Sequence, residues 1–485
     1  HFFCTQERTT LRYKMCHDIF NKTFHRLVIT SRWYNANKII TITNDILFDF
    51  VRQHAKARPE QIAFQNCDGS KISWKEAKKE IDDLIFLLKN ANVSSGHSVL
   101  LSAQNNKETV LRLIALFEIG ASVAMCATNL DDYQQKLRPH FVWEEGLKNQ
   151  NSPLPLFGHG DYFFQTSGTT GAREIVWMPS VGLLNTWSEQ VKAFHVNEHS
   201  KCAWMLSPDF DASLSDIGVA VLAGATLFCV PFSRWTKPST WKKDMERFGV
   251  THIDAPPSWL SLCAKNSPPK SLRVVVVGGE VCPPGLVQSW SPDIRFVNVY
   301  GPTECTICTS LEELTAKSKL GTIGFPLKNV DYKILQDDNP VTPKNGDTGE
   351  LVVFSKGLAH GYLGNTEKTN ERFGIFDGRR YFKTRDEVLC LDDGNLVFLG
   401  RLNRSFKKNG KFINLDSIEQ LALLCPGVDQ AAALSREKNI EVFFSGKSSP
   451  EDIRAWLRKS NITVQKVTKK SSLPVINSKI NRSLL

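Results

Sequence analysis

The chain has 485 residues, of which 41% are hydrophobic and 23% are charged, a composition typical of globular proteins. Because this length exceeds what one hydrophobic core supports, we expect two or more domains, and no apolar run approaches the roughly 18 residues of a membrane span. The net charge of +10 is concentrated at the end of the chain, since residues 403–485 hold fifteen Lys/Arg against seven Asp/Glu. This distribution argues against nucleic-acid binding and suits either closure over a polyphosphate or a solvated basic face.

The first 43 residues carry seven Lys/Arg and two acidic residues, and position 1 is His rather than Met. We interpret them as a basic N-terminal extension of a cytoplasmic protein, although their weak likeness to a transit peptide keeps a mitochondrial location open. The twelve cysteines show no repeating spacing, which indicates reduced intracellular thiols. The one close pair, Cys305 and Cys308, lacks the second pair that a zinc site would need.

From residue 44 onward, strands and helices alternate. The patterns predict helices at 45–54, 75–89 and 107–119, and strands at 61–65, 71–74, 98–103, 162–165, 225–230, 251–254, 273–277 and 295–299. Such alternation is typical of parallel sheets covered by helices. Residues 350–398 instead resemble hairpins, with turns at Asp377-Gly378 and Asp393-Gly394, whereas residues 129–160 give no clear pattern.

A hydroxyl-rich loop follows the strand at 162–165, with the sequence Thr166-Ser167-Gly168-Thr169-Thr170-Gly171. Its glycines let the backbone approach a polyphosphate closely, and its hydroxyl and N–H groups can wrap phosphate oxygens. It is not a Walker loop, because no Lys-Ser/Thr follows the second glycine. On composition alone, an ordinary surface turn is the simpler interpretation.

Three further stretches carry groups suited to a nucleotide. The segment from Asn298 to Glu304 follows a predicted strand, and ligands of open α/β sheets bind at the carboxyl ends of strands. Tyr300 could stack on a purine, and Glu304 could hold Mg²⁺ beside phosphates. Asp386 could accept ribose hydroxyls and Arg401 could hold a phosphate. Taken alone, these are a Gly-Pro turn and ordinary exposed loop charges, and Lys479 near the chain end is an ordinary solvated residue.

Together and in this order, these stretches resemble the adenylate-forming superfamily, which includes acyl-CoA synthetases, firefly-type luciferases and the adenylation domains of non-ribosomal peptide synthetases. The resemblance covers roughly residues 46–485. It implies an α/β fold with a large domain at 44–402, built of helix-covered sheets and a β-barrel-like subdomain. A small, mobile α+β lid domain would follow at 403–485, beyond a hinge at Asn403.

The resemblance also implies site roles. It assigns ATP contacts to Thr166, Ser167, Gly168, Thr169, Thr170, Gly171, Asn298, Tyr300, Gly301, Asp386 and Arg401. Thr303, Glu304 and Lys479 would be catalytic, with Glu304 the ligand of Mg²⁺ and Lys479 between the substrate carboxylate and the α-phosphate.

The segment Phe210-Asp211-Ala212-Ser213 resembles the part of amino-acid-activating domains in which an aspartate pairs with the substrate ammonium. A buried carboxylate is costly unless paired, which favours a substrate that carries a cation. The pocket positions carried over are Asp211, Ala212, Ser215, Asp254, Val276, Gly278, Val299, Ile307 and Cys308. Among stand-alone relatives, the chain resembles the β-alanine-activating enzyme, also called aminoadipate-semialdehyde dehydrogenase.

The implied function is ATP-dependent activation of a small carboxylic acid, such as β-alanine, as acyl-AMP, followed by transfer to a thiol. That thiol would be CoA or the phosphopantetheine of a carrier protein. Because the chain shows no carrier serine motif, the thiol would be supplied in trans or by a part of the protein missing from this sequence. Alternatives are an acyl-CoA synthetase for another acid and a catalytically impaired nucleotide-binding homologue. The second alternative draws on departures from the family pattern, namely Arg173-Glu174 for Pro-Lys, Arg385 and Ser478 for glycines, Asn403 for aspartate and Ser405 for glutamine.

Overall fold

The structure is a computed structural model of the 485-residue chain. It describes residues 46–485 except 153, 167–173, 236–237, 264–266, 291–292, 409–410, 437–438, 461, 477–478 and 481. The predicted N-terminal extension lies outside the described residues. Residues 43–485 form one compact unit, and the division of this unit at residue 402 stays a prediction.

Several helices begin at residues whose side chains cap them. At the start of the second helix, Glu76 N donates to Ser73 Oγ and Ser73 N donates to Glu76 Oε2, a reciprocal arrangement that satisfies two N–H groups at the helix end. In chain order the helices of the described part are α1 Ile46–Ala57, α2 Trp74–Asn90, α3 Lys107–Glu118, α4 Leu130–Leu137, α5 Leu183–Ala193, α6 Ser213–Ala223, α7 Pro238–Phe248, α8 Pro257–Cys263, α9 Pro284–Trp290, α10 Thr366–Arg372, α11 Leu415–Leu423 and α12 Pro450–Lys459. Each falls short of the length and apolar character needed to cross a bilayer.

The strands of the described part are β1 Ile62–Asn66, β2 Lys71–Ser73, β3 Ser98–Ser102, β4 Ser122–Cys126, β5 Phe141–Trp143, β6 Leu147–Asn149, β7 Tyr162–Gln165, β8 Ile175–Met178, β9 Lys201–Trp204, β10 Thr226–Cys229, β11 His252–Asp254, β12 Val274–Gly278, β13 Arg295–Tyr300, β14 Ser310–Leu314, β15 Thr322–Pro326, β16 Val330–Gln336, β17 Asn339–Val341, β18 Thr348–Ser355, β19 Gly361–Tyr362, β20 Phe373–Phe376, β21 Arg379–Cys390, β22 Leu396–Arg401, β23 Ser405–Lys408, β24 Lys411–Asn414, β25 Val428–Arg436, β26 Asn439–Gly446, β27 Lys466–Lys469, β28 Val475–Ile476 and β29 Lys479–Ile480.

Two sheets dominate the described part of the chain. One has seven strands in the order β19-β8-β7-β4-β3-β5-β6, and the other has fifteen. The larger sheet contains the parallel series β1-β10-β9-β11-β12-β13 and continues through β14 into antiparallel strands, including β15, β22, β21, β18 and β16. The predicted α/β class with helix-covered parallel sheets is therefore confirmed.

Strand β12 shows how both faces of the parallel sheet are covered. Val275 and Val277 belong to one buried cluster with Trp241 and Trp290, whereas Val274 and Val276 belong to another. Successive side chains of a strand point to opposite faces, so an unbroken valine run is what a strand buried on both sides requires. Burying each valine stabilises the sheet by about 1.5–3 kcal/mol.

The last part of the chain has a core of its own. Strands β25, β26 and β27 form a three-stranded sheet, and helices α11 and α12 contribute Ile418, Ile453 and Leu457 to a buried cluster with Val442 of β26. Hydrogen bonds connect this region to β22 of the larger sheet, where Gln420 Nε2 donates to the Phe398 carbonyl over 3.1 Å, and to helix α8. Gln430 Nε2 donates to the Ser258 carbonyl over 3.2 Å.

Most predicted strands lie within one or two residues of their observed bounds, but residues 129–160 differ. This segment gave no clear pattern, yet it contains α4, β5 and β6. The buried strand Phe141–Trp143 has three residues, which is too short for alternation to stand out against polar neighbours.

Candidate active site

Three neighbouring parallel strands end at the same edge of the larger sheet, and they bring four predicted pocket residues together. Asp254 closes β11 and is paired in register with Val276 of β12. Gly278 closes β12 and is paired with Val299 of β13. A side chain at Gly278 would collide with Val299, because an added Cβ would lie 2.6 Å from Val299 Cγ2.

A hydrogen-bonded chain joins two more predicted pocket residues through one that the sequence did not reveal. Ser215 Oγ on α6 donates to Gln190 Oε1 over 2.9 Å, and Gln190 Nε2 donates to Cys308 Sγ over 3.3 Å. Gln190 is buried on α5. Nothing in the helical pattern marks a glutamine as a bridge, since its partners lie 25 and 118 residues away.

The turn that carries Ile307 and Cys308 is strained. Thr306 and Ile307 have φ of 66° and 69°, a left-handed region that β-branched residues rarely occupy. Thr306 Oγ1 donates to the Gly357 carbonyl over 2.6 Å and holds the turn. Such strain persists only where the surroundings over-determine it, and it concentrates at functional sites.

The predicted ammonium partner Asp211 is buried just before α6, and Ala212 is the capping position of that helix. Burial raises the pKa of Cys308 to about 12, the hydrogen bond from Gln190 opposes the rise, and the charges of Asp254 and Asp211 add to it. The structure thus gathers Asp211, Asp254 and Cys308 around one buried site.

Asp216 is a third acidic residue at this site, and the sequence analysis did not single it out. It follows Ser215 on α6 and shares a small cavity with Asp254, Ser215 and Val276. Burial raises the pKa of Asp254 to about 7. Burial, together with the charge of Asp254, raises the pKa of Asp216 well above its usual range.

The predicted nucleotide contacts Tyr300, Asp386 and Arg401 meet beside this pocket. The Tyr300 hydroxyl donates to Asp386 Oδ2 over 2.6 Å. Arg401 Nε lies 3.4 Å from Asp386 Oδ1, and these two residues are paired across β21 and β22.

Asp386 is not the exposed loop charge that we expected, since it lies within β21 and is 4% exposed. Burial raises its pKa, while Arg401 and Tyr300 oppose the rise. A ribose bound at Asp386 would have to share or replace these two contacts.

Arg385, which stands where the family pattern has glycine, has a strained backbone conformation. Its φ is 62°, a conformation that favours glycine, and the family pattern has glycine there. Arg385 N donates to Glu350 Oε1 over 2.8 Å, and its guanidinium lies 2.5 Å from Glu371 Oε1. These contacts offset part of the strain that an arginine has at a position where glycine would be unstrained.

Asn298 and Glu304 are both buried and both held by neighbours. Asn298 Nδ2 donates to the Thr322 carbonyl over 2.8 Å, which fixes its amide against β15. The Tyr362 hydroxyl donates to Glu304 Oε1 over 2.6 Å. Thr303 and Glu304 lie in one turn of 3₁₀ helix, directly after Gly301 and Pro302.

A single carboxylate at Glu304 fits the magnesium prediction. In the described ranges, no three His, Cys, Asp or Glu side chains are grouped to hold a metal. Nucleotide enzymes bind Mg²⁺ through one or two carboxylates together with phosphates and water. A preformed metal cage is therefore not expected here.

The hydroxyl-rich loop connects the antiparallel strands β7 and β8. Thr166 N donates to the Glu174 carbonyl over 2.9 Å, and Glu174 N donates to Thr166 Oγ1 over 3.2 Å. Ser167, Gly168, Thr169, Thr170, Gly171 and Arg173 lie outside the described residues. Glu174 pairs with Lys368 of α10, whose Nζ is 3.5 Å from its Oε1, so a cation stands at the base of the loop.

The backbone of Lys479 reaches the same edge of the sheet. Lys479 and Ile480 form β29, and Ile480 N donates to Glu280 Oε1 over 3.1 Å. Glu280 lies two residues beyond Gly278 and also accepts from Ser258 N over 3.0 Å. The position of the Lys479 side chain is outside the described structure, so its catalytic role stays a prediction.

Known proteins similar to the chain point to one family. Residues 158–363 match the family described as AMP-binding enzyme. The chain is 34% identical over 277 residues to novobiocin biosynthesis protein H of Streptomyces niveus, covering 56% of this chain and 46% of that protein. It is 33% identical over 439 residues to bacitracin synthase 3 of Bacillus licheniformis, covering 83% of this chain and 7% of that protein. The chain therefore spans less than half the length of either relative.

Two solved structures show that the fold is shared. Klebsiella oxytoca NpsA in complex with 3-hydroxyanthranilyl-AMSN matches with a TM-score of 0.77 and 20% identity, over 91% of this chain and 98% of that one. The four-domain non-ribosomal peptide synthetase holo-AB3403, bound to AMP and glycine, matches with a TM-score of 0.78 and 19% identity, over 90% and 36% respectively. Residues 158–363 of the chain therefore match the family of AMP-binding enzymes, and the fold over about nine-tenths of the chain is the one that these two solved structures have.

Proposed function

We propose that the protein uses ATP to activate an amino acid as aminoacyl-AMP, releasing pyrophosphate, and then transfers the aminoacyl group to a thiol. The observation that carries this proposal is the junction of two subsites on β13. Val299 lies in register with Gly278 in the acid-lined pocket, and the next residue, Tyr300, bonds to Asp386 in the nucleotide cluster. An acid in the pocket would thus lie beside a nucleotide.

In the first step a carboxylate oxygen of the substrate attacks the α-phosphorus of ATP. A new O–P bond forms, the bond from the α-phosphorus to the bridging oxygen breaks, and pyrophosphate leaves with the electron pair. Arg401 and Lys479 would stabilise the negative charge that grows on the phosphoryl oxygens, and each such contact is typically worth on the order of 10²- to 10³-fold in rate. Mg²⁺ held by Glu304 would supply further positive charge at the phosphates.

In the second step a thiol attacks the acyl carbon and AMP leaves. The thiol would belong to CoA or to the phosphopantetheine of a carrier protein supplied in trans. The names of similar proteins support both kinds of acceptor. A peptide synthase, bacitracin synthase 3, fits a carrier protein, and an anthranilate CoA ligase in complex with anthranoyl-AMP fits CoA.

The buried carboxylate of Asp211 supports an amino acid rather than a simple acid as substrate. A carboxylate in a desolvated pocket is stabilised by an opposite charge, and a substrate ammonium would supply one. The resemblance to the β-alanine-activating enzyme makes β-alanine one candidate substrate.

Amino-acid-dependent exchange of labelled pyrophosphate into ATP tests the proposal. We expect exchange with at least one amino acid, and we expect Asp211→Asn to lose about 3–5 kcal/mol of transition-state stabilisation because the ammonium loses its partner. The exposed Asp49 of α1 provides a matched control, and Asp49→Asn should exchange at the parental rate.

Two results would contradict the proposal. Equal activation of propionate and β-alanine, indifferent to Asp211→Asn, would indicate an acyl-CoA synthetase for another acid. ATP binding in calorimetry without exchange for any acid would indicate a nucleotide-binding homologue that has lost catalysis.

A further inference from the structure

Asp216 and Asp254 form a buried acidic pair that the proposed reaction does not use. Asp216 is 9% exposed and Asp254 is 8% exposed. In the described part of the chain, Asp216 Oδ2 has no hydrogen-bond partner, and neither residue is among the ion pairs observed there. Two carboxylates in such a position are stabilised either by protons or by a cation from outside the chain.

Among the described residues that line the cavity there is no Lys or Arg. The neighbouring His252 has both ring nitrogens engaged, with Nε2 donating to the Phe194 carbonyl over 3.0 Å and Nδ1 lying 2.7 Å from Thr251 Oγ1. Burial lowers the pKa of His252 to about 4, so this imidazole is neutral at physiological pH. Phe194 and Val219 also line the cavity, and their apolar side chains lower the local polarity.

The cavity beside the two carboxylates shares lining residues with the proposed substrate pocket. Ser215 and Val276 belong to both, and Asp254 stands beside Val276 in the sheet register. Its volume is about 20 Å³, which is room for one water-sized group. A primary ammonium has this size, whereas a planar guanidinium is larger.

We propose that the Asp216–Asp254 pair binds a second, distal ammonium of the substrate, so that the amino acid activated is a diamino acid with a primary amine on its side chain. This inference rests on the proposed function and narrows its substrate class. Asp211 would hold the α-ammonium while the acidic pair, deeper in the pocket, takes the side-chain amine.

The test compares substrates that differ only in the distal charge. Pyrophosphate exchange on the full chain is measured with ornithine, lysine and 2,4-diaminobutyrate, and with the uncharged analogues norvaline, norleucine and 2-aminobutyrate. We expect kcat/KM for the best diamino acid to exceed that of its analogue by on the order of 10²-fold or more, because the analogue leaves the pair without its cation. Arginine should be activated poorly.

Substitutions of the two aspartates test whether they cause the preference for diamino acids. Asp216→Asn and Asp254→Asn keep the side-chain shape, and each should bring the ratio of diamino acid to analogue close to one. Asp49→Asn removes an exposed carboxylate on α1 and should keep the parental ratio. A ratio that is the same in Asp216→Asn as in the parent overturns the assignment.

The outcomes separate this inference from the function on which it rests. If amino acids support exchange but diamino acids are no better than their analogues, the inference is overturned and the proposed function stands. If no amino acid supports exchange, the proposed function fails. The unfolding temperature with and without ornithine then decides whether Asp216 and Asp254 bind a distal ammonium. Stabilisation of the parent but not of Asp216→Asn supports the binding site, whereas no stabilisation of either overturns it.

Discussion

Removing the charge of Asp254 should stabilise the ligand-free protein, and by an amount that depends on pH. Burial raises the pKa of this carboxyl from near 4 in the unfolded chain to about 7 in the folded one. When the group is ionised in both states, the folded protein therefore carries a penalty on the order of 4 kcal/mol. Below pH 4 the carboxyl is protonated in both states, and the penalty disappears.

The sign follows from proton binding. Between pH 4 and 7 the folded state holds a proton that the unfolded state has lost, so the parent loses stability as pH rises through this window. Asp254→Asn has no such proton to lose. We therefore expect the variant and the parent to unfold at similar temperatures near pH 4, with the variant increasingly more stable up to pH 8.

Scanning calorimetry at pH steps from 4 to 8, without substrate, measures this difference. Carboxyl groups away from the pocket contribute alike in both proteins and cancel when the parent is subtracted. Asp216 does not cancel, because the charge of Asp254 helps to raise its pKa, and its relief in the variant adds to the same gain in stability at high pH. Asp49→Asn removes an exposed carboxylate and should change the unfolding temperature at pH 8 much less than Asp254→Asn does. A constant difference for Asp254→Asn, or greater stability of the parent at pH 8, would refute the view that an uncompensated buried carboxylate lies there.

Three further predictions concern the nucleotide side of the site. Asp386→Ala should weaken ATP binding in calorimetry and lower the unfolding free energy by about 1–3 kcal/mol, because the Tyr300 hydroxyl loses its buried acceptor; unchanged ATP affinity would exclude Asp386 from the nucleotide site. Arg385→Gly should be more stable than Arg385→Ala by about 1 kcal/mol in denaturant unfolding, since only glycine is unstrained at positive φ; equal stabilities would argue against that strain. Lys479→Ala should lower pyrophosphate exchange on the order of 10²- to 10³-fold, while a pre-formed aminoacyl-adenylate still reacts with a thiol. If both half-reactions survive, Lys479 is only a solvated residue.

The parallel sheet could be predicted because its signal is local. Valine runs bounded by turns, such as Val274–Gly278, need no knowledge of distant residues, and adjacent parallel strands then bring Asp254 and Gly278 to one edge. Once the strands are assigned, the order of the parallel strands in the sheet places Asp254 and Gly278 close together.

The residues that the sequence did not reveal depend on distant partners. Gln190 becomes a bridge only when α5 lies between Ser215 and Cys308. Asp216 has the appearance of an ordinary acidic residue in the first turn of a helix. Only the packing of α6 against β9 and β10 of the sheet buries it, in a cavity that Asp254 also lines. Asp386 was misplaced because a β-bulge at Arg385 turns an apparent loop into a strand interior.

The fate of the substrate oxygen tests the central proposal most directly. If the carboxylate attacks the α-phosphorus, an amino acid labelled with ¹⁸O in its carboxylate must pass one labelled oxygen to AMP when hydroxylamine captures the acyl group. Mass spectrometry of the nucleotide product should therefore show AMP carrying one ¹⁸O, with no ADP. Unlabelled AMP, or ADP with labelled phosphate, would contradict an acyl-AMP intermediate.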